Sequence, residues 1–230
     1  MTKMLKSIIA GAAVLIGACF IGQTQPVQAA DDYALRLAED NQWYYYQDDE
    51  VDTAYQGLAL NEYGWWYVSD GTIDWDYAGM ALNDYGWWYV SNGTVDFNYT
   101  GMALNEYGWW YFNNGVLDLS YTGMALNDYG WWYFNNGQLD LTFYGLANNE
   151  YGTWFYTNGQ LNFGFTGMLI PDDRWLYVRN GQVLTDYTGM AVNDYGWWYF
   201  KDGAIDFVYT GMAVNEYGWW YFNNGVIDFA

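Results

Sequence analysis

YTGMALNDYGWWYFNNGQLDL, residues 121–141, is the stretch that decides the fold. Variants of it fill the chain from about residue 35 onward. Its glycine returns at Gly57, Gly79, Gly101, Gly123, Gly145, Gly167, Gly189 and Gly211, in steps of 22 residues. A self-similar period of that length signals stacked supersecondary units rather than one globular core. The expected architecture is therefore all-β, a β-solenoid of stacked hairpins with a 22-residue period. Residues 31–230 hold about nine such units. The first, around Trp43, Tyr45, Asp52 and Tyr55, is degenerate, and the last ends near the C-terminus.

Each unit carries an aromatic run, an Asn-Gly or related pair, and a second apolar run. Asn-Gly between two such runs predicts a two-residue hairpin turn, because a type I′ turn needs positive φ at both central residues. A turn at Asn114-Gly115 sets Phe112 opposite Leu117, Tyr111 opposite Asp118 and Trp110 opposite Leu119. The remaining segment, T-G-M-A-L-N-D-Y-G, is expected to be a connector. Side chains alternate faces along a strand. One face then carries Trp110, Phe112, Leu117 and Leu119, wholly apolar and expected to be core. The other carries Trp109, Tyr111 and Asp118. A carboxylate on an aromatic face is unusual for a core, since burying an unpaired charge is costly. That face is the expected ligand surface.

The candidate binding residues follow unit by unit. They are Trp65, Trp66, Tyr67 and Asp74; Trp87, Trp88, Tyr89 and Asp96; Trp109, Trp110, Tyr111 and Asp118; and Trp131, Trp132, Tyr133 and Asp140. Two later units add Trp197, Trp198, Tyr199 and Asp206, then Trp219, Trp220, Tyr221 and Asp228. The Gly145 unit replaces the surface set with Thr153, Phe155 and Asn162. The Gly167 unit keeps Trp175 and Tyr177 but has Leu176 and Leu184, with Pro171 and Arg174 in its connector. These two units are expected to keep the fold and lose the site; the alternative is simple drift in sequence.

Aromatic rings stack on the apolar faces of sugars and attract cations, including quaternary ammonium groups, to their π-faces. An adjacent carboxylate adds charge attraction or accepts hydroxyl protons. Each site is weak, and repetition supplies avidity. The alternative for these side chains is packing against the next hairpin, with Asp capping a backbone N–H. Catalysis has little to work with: the sequence has no histidine and only one cysteine, Cys19. The usual bases, nucleophiles and zinc ligands are missing. No cofactor or metal is expected, and the chain is expected not to be an enzyme.

Residues 1–30 read as a secretory signal: Lys3 and Lys6, an apolar run from Ile8 to Ile21, and a small-residue cleavage site after Ala29 or Ala30. The run is short for a membrane span, and none is expected in the mature chain. A lipobox-like reading of Cys19 is the alternative, giving a lipid anchor. Removing this segment leaves no cysteine and sets Arg36, Arg174, Arg179 and Lys201 against 27 acidic residues. Such a field disfavours nucleic acid. It also keeps an aromatic-rich array dispersed.

The run T-G-M-A-L-N-E-Y-G-W-W-Y-F-N-N-G-V-L, from Thr100 to Leu117, resembles the cell-wall-binding repeats of Gram-positive surface proteins, the choline-binding and glucan-binding superfamily. The resemblance implies stacked hairpins in a left-handed β-solenoid. It further implies a secreted or cell-surface protein that attaches to wall polysaccharide, teichoic acid or glucan, with choline among the ligands. By position, the family's hairpin Trp matches Trp66, Trp88, Trp110, Trp132, Trp154, Trp198 and Trp220. The Trp that follows T-G in the family, part of its choline cage, is Met80, Met102, Met124, Met168, Met190 or Met212 here, or Leu58 and Leu146, which points away from choline toward a glucan-type or an unassigned wall ligand. The facing argument favours the leading Trp of each pair as ligand-facing, and the family match favours the trailing one. The reading from another class is a structural spacer or self-associating surface protein with no small ligand.

Overall fold

The computed structural model describes residues 33–229. The expected signal sequence and Cys19 lie outside the described residues. Within them the chain forms 27 strands and no helix, and every strand pairing is antiparallel. It divides into two compact units. One runs through Tyr107 and takes in Phe112–Leu117; the other holds Gly108–Tyr111 and everything from Asp118 onward. Within each unit the 22-residue repeats stack as a β-solenoid of hairpins.

The repeat that starts at Gly123 shows the local logic. It has three strands, Gly123–Asn127, Gly130–Asn135 and Gln138–Leu139. The first two pair from Gly123 opposite Phe134 to Asn127 opposite Gly130. The segment expected to be a connector is thus a strand, and the repeat contains two tight turns rather than one. The first turn, Asp128-Tyr129, is closed by Asn127. Its Oδ1 accepts the backbone N–H of Tyr129 at 2.9 Å and the indole N–H of Trp132 at 3.0 Å. An Asn side chain that mimics a turn carbonyl is a known turn device, and here it also fixes a tryptophan.

The second turn is the expected one. Asn136 and Gly137 sit at φ of 52° and 74°, as a type I′ turn requires. Phe134 pairs with Leu139, and the Asp140 N–H donates to the Tyr133 carbonyl at 3.0 Å. The expected third pair, Trp132 with Leu141, does not form. The Asp140 carboxylate accepts the N–H of Thr142 at 2.9 Å and its hydroxyl at 2.6 Å, which turns the chain out of the strand. Trp132 pairs instead with Gln160 of the next repeat. One aromatic strand therefore serves three partners: the glycine strand, its own short strand and the short strand of the following repeat.

The turn glycine is where repeats lock together. The Gly137 N–H donates to the Tyr121 carbonyl at 2.8 Å, and the Gly137 carbonyl accepts from the Tyr111 N–H at 2.8 Å. A Cβ on Gly137 would stand 2.4 Å from the Asp118 carbonyl oxygen. The same clamp recurs at Gly71, Gly93, Gly115, Gly159, Gly181, Gly203 and Gly225. The core sits between repeats. Val68, Val90, Phe134, Val178, Phe200 and Phe222 are fully buried. In the repeat from Gly123, Met124 packs with Tyr156 and Leu161 of the repeat that follows. Burial of each such side chain contributes roughly 1.5–3 kcal/mol, and it exists only because a neighbour is stacked on it.

Gly137→Ala is expected to cost on the order of 2 kcal/mol or more, since it adds a clash to a left-handed backbone. Asn136→Gly, at the adjacent turn position, should cost under about 1 kcal/mol. Urea midpoints of the two variants, followed by tryptophan fluorescence, check the difference.

Candidate aromatic clefts

The clamp positions two tyrosines. In each clamped repeat an aromatic residue of the long strand and the aromatic residue that closes the repeat bond the same turn glycine from either side; both are Tyr except Phe143, Phe155 and Phe165. Their rings are thereby brought face to face. Tyr45 stacks on Tyr55 at 3.5 Å and 8°, Tyr67 on Tyr77 at 3.5 Å and 11°, and Tyr199 on Tyr209 at 3.5 Å and 13°. The closing Tyr is fixed at its far end as well. The Tyr55 hydroxyl donates to the Leu58 carbonyl at 2.7 Å, and the Tyr77 hydroxyl to the Met80 carbonyl at 2.6 Å. Burial pushes Tyr55, Tyr77, Tyr99 and Tyr121 up to about 12.

Among the described residues a cleft opens beside such a pair in each unit. The first, of about 450 Å³, is lined by Tyr45, Tyr55, Leu58, Leu60, Trp65 and Asp84, with Tyr33 at its edge. The second, of about 480 Å³, is lined by Tyr177, Tyr187, Met190, Val192, Trp197 and Glu216. Tyr45, Tyr55, Leu58, Leu60, Trp65 and Asp84 in the first cleft stand at the same repeat positions as Tyr177, Tyr187, Met190, Val192, Trp197 and Glu216 in the second. Each cleft draws on three consecutive repeats: the tyrosine pair from the first, the leading Trp from the second, the acid from the third. The leading Trp is braced edge-on by the turn Tyr of the third repeat, Trp65 by Tyr85 at 5.9 Å and Trp197 by Tyr217 at 6.5 Å.

The sequence-predicted residues divide between two faces. Leading tryptophans Trp65 and Trp197 line the clefts. The trailing ones lie across the sheet. Trp66, Trp88, Trp132, Trp198 and Trp220 donate their indole N–H to Asn61, Asn83, Asn127, Asn193 and Asn215 at 2.8–3.0 Å. Trp66, Trp88, Trp198 and Trp220 also meet Trp75, Phe97, Phe207 and Phe229 edge-on. Tyr67, Tyr89, Tyr111, Tyr133 and Tyr199 each stand in a stacked pair. Asp74, Asp96, Asp118, Asp140 and Asp206 accept the backbone N–H two residues on, at 2.9–3.1 Å. None of these five lines either cleft. The Thr142 hydroxyl holds the Asp140 carboxyl below its ordinary range.

Sequence reasoning missed two contributors, the closing Tyr (Tyr55, Tyr187) and the turn acid (Asp84, Glu216). The signal was present. The position after the turn Asn is Asp or Glu in seven full repeats: Glu62, Asp84, Glu106, Asp128, Glu150, Asp194 and Glu216.

The array is not uniform. In the repeat from Gly145, Phe155 and Phe165 replace the tyrosines and tilt to 4.6 Å and 49°. Phe155 is buried, with Tyr144 edge-on to it at 5.1 Å. Thr153 replaces the leading Trp and bonds Asn148 at 2.6 Å. In the last repeat Met212, Trp219 and Tyr221 are 51%, 67% and 45% exposed. No described repeat follows to cover them. Trp43 and Trp175 keep the edge contact with the turn Tyr, Tyr63 and Tyr195.

A family model described as choline-binding repeat matches residues 54–74, 76–96, 98–118, 120–140, 142–162, 186–206 and 208–228. The intervals leave out 163–185, which hold the Gly167 repeat with Pro171 and Arg174. No curated protein sequence matches the chain. Among solved structures, CbpJ from Streptococcus pneumoniae TIGR4 aligns at 17% identity over 81% of this chain and 70% of that one, with a TM-score of 0.31. Choline binding protein F from Streptococcus pneumoniae aligns at 18% identity over 81% and 70%, with a TM-score of 0.30. An alternansucrase in complex with isomaltononaose aligns at 15% identity over 84% of this chain and 15% of that one, at 0.31.

The raised tyrosines set a pH limit. Folded Tyr77 holds its proton to about 12, against an ordinary value of 10.0. The unfolded chain releases it first, so stability is full below pH 10 and falls as pH rises toward 12. The urea midpoint should drop over that window. Tyr77→Phe, which removes the titrating group, should lessen the drop while lowering stability at neutral pH by about 1 kcal/mol.

Proposed function

Since this chain belongs to the choline-binding repeat family, we propose that it is a non-catalytic module that attaches to choline-bearing cell-wall polymer at the cell surface. The observation that carries the proposal is the repeated cleft, two stacked tyrosines and a braced tryptophan around a space of about 450–480 Å³. A quaternary ammonium group cannot donate a hydrogen bond, so recognition rests on shape and on π-faces. A cation over an aromatic ring gains roughly 0.5–2 kcal/mol. A single cleft binds weakly; several on one chain engaging one polymer raise avidity by about 10²–10⁴. The secretory signal read at residues 1–30 fits delivery to the surface.

The missing tryptophan after T-G bears on the ligand. Its place is taken by Leu58 and Met190, whose side chains pack between repeats and still line the two clefts. The aromatic walls come instead from the closing tyrosines Tyr55 and Tyr187. The choline reading therefore does not depend on that tryptophan. A neutral glucan is the second ligand to test, because stacked tyrosines with hydroxyls also suit a sugar face.

The purified chain should be retained on a choline-substituted matrix and released by free choline. Trp65→Ala with Trp197→Ala should weaken retention several-fold, while Trp66→Phe should leave it within about twofold. Absence of retention on both the matrix and choline-bearing walls would sink the proposal. Retention on α-glucan that free choline cannot reverse would move the ligand to the sugar.

A further inference from the structure

The acids of this chain fall into two groups with different surroundings. The tail acids, Asp74 and its equivalents, spend one carboxylate oxygen on the turn that ends the short strand. The turn acids Asp84 and Glu216 do not. The turn that holds Asp84 is closed by Asn83, whose Oδ1 accepts from the Tyr85 N–H and the Trp88 indole. Asn215 does the same beside Glu216. The carboxylates themselves accept no hydrogen bond and join no ion pair among the described residues. Each nevertheless lines a cleft. The Tyr55 hydroxyl in the same cleft is pushed up mainly by burial, and the charge of Asp84 adds to it.

We propose that the turn acid of the third repeat is the counter-charge of each cleft, selecting a cationic headgroup over a neutral group of the same shape. This deepens the reading that the clefts take a quaternary ammonium and rests on it. The physical basis is the division of labour between walls and rim. Aromatic faces attract a cation, yet they also accept a neutral tert-butyl group or a sugar face. An unpaired carboxylate lining the cleft favours only the positive one. Its neighbour in sequence is the tyrosine that braces the leading tryptophan, Tyr85 against Trp65 and Tyr217 against Trp197. Charge and ring are thus delivered by a single turn, and a cleft is complete only when three consecutive repeats are present. Solubility alone does not require this placement: a solubilising charge works anywhere on the surface.

The test compares choline with 3,3-dimethyl-1-butanol, its uncharged isostere, by calorimetric titration of the full chain. In one variant Asp84→Asn, Glu106→Gln, Asp128→Asn, Glu150→Gln, Asp194→Asn and Glu216→Gln are combined. All six sites are two-residue turns whose closing Asn is retained. Choline should bind about 3- to 10-fold more weakly to this variant, with the isostere within about twofold, as expected for one rim charge. On the unaltered chain, raising salt from low to about 0.5 M should weaken choline and leave the isostere unchanged; this arm needs no variant to fold. Equal choline affinity in variant and parent, or equal loss for both ligands, overturns the counter-charge while the binding reading stands. An unaltered chain that binds neither ligand overturns both.

Discussion

The turn glycine of one repeat, held between two aromatic residues of the repeat before it, is the contact on which the rest of the structure depends. Its N–H and carbonyl are both used, as at Gly93 with Tyr77 and Tyr67. No side chain fits there: a Cβ on Gly93 would stand 2.5 Å from the Asp74 carbonyl oxygen. The clamp fixes the repeat-to-repeat spacing through backbone atoms, which side-chain drift cannot easily alter. It also sets the two clamped tyrosines ring on ring at 3.5 Å. The same pair of hydrogen bonds therefore builds the stack and one wall of the cleft.

That coupling explains the tolerance seen in the repeat from Gly145. Gly181 is clamped between Phe155 and Phe165 by bonds of 2.8 Å, as in the other repeats. The backbone continues unchanged while the rings tilt and Phe155 is buried. A repeat can lose its aromatic wall without losing its place in the stack, because the clamp uses backbone atoms and the cleft wall uses the rings. The last repeat shows the converse. Its backbone is regular, yet Trp219 and Tyr221 stand exposed because a cleft wall needs the following repeat to cover it.

Charge is arranged with the same economy. The acids occur at two positions in most repeats, and only one of the two faces a cleft. The tail Asp is drawn into its own turn because a backbone N–H lies two residues on. The turn acid is spared because the preceding Asn already supplies the closing oxygen.

Period, fold class and the Asn-Gly turn were legible in the sequence, since each is set by local backbone chemistry that 22-residue repetition makes conspicuous. The buried face was legible in part: Phe112 and Phe134 are core as expected, whereas Leu119 and Leu141 are exposed. The second hairpin was not read, because T-G-M-A-L-N-D-Y-G lacks the Asn-Gly mark and its turn is closed by a side chain instead. The division between leading and trailing tryptophan was beyond the sequence as well. Adjacent strand residues face opposite ways, and which way leads to an opening is decided by contacts between repeats. For the same reason the tertiary structure alone joined Tyr55, Trp65 and Asp84, three residues of three repeats brought together by stacking.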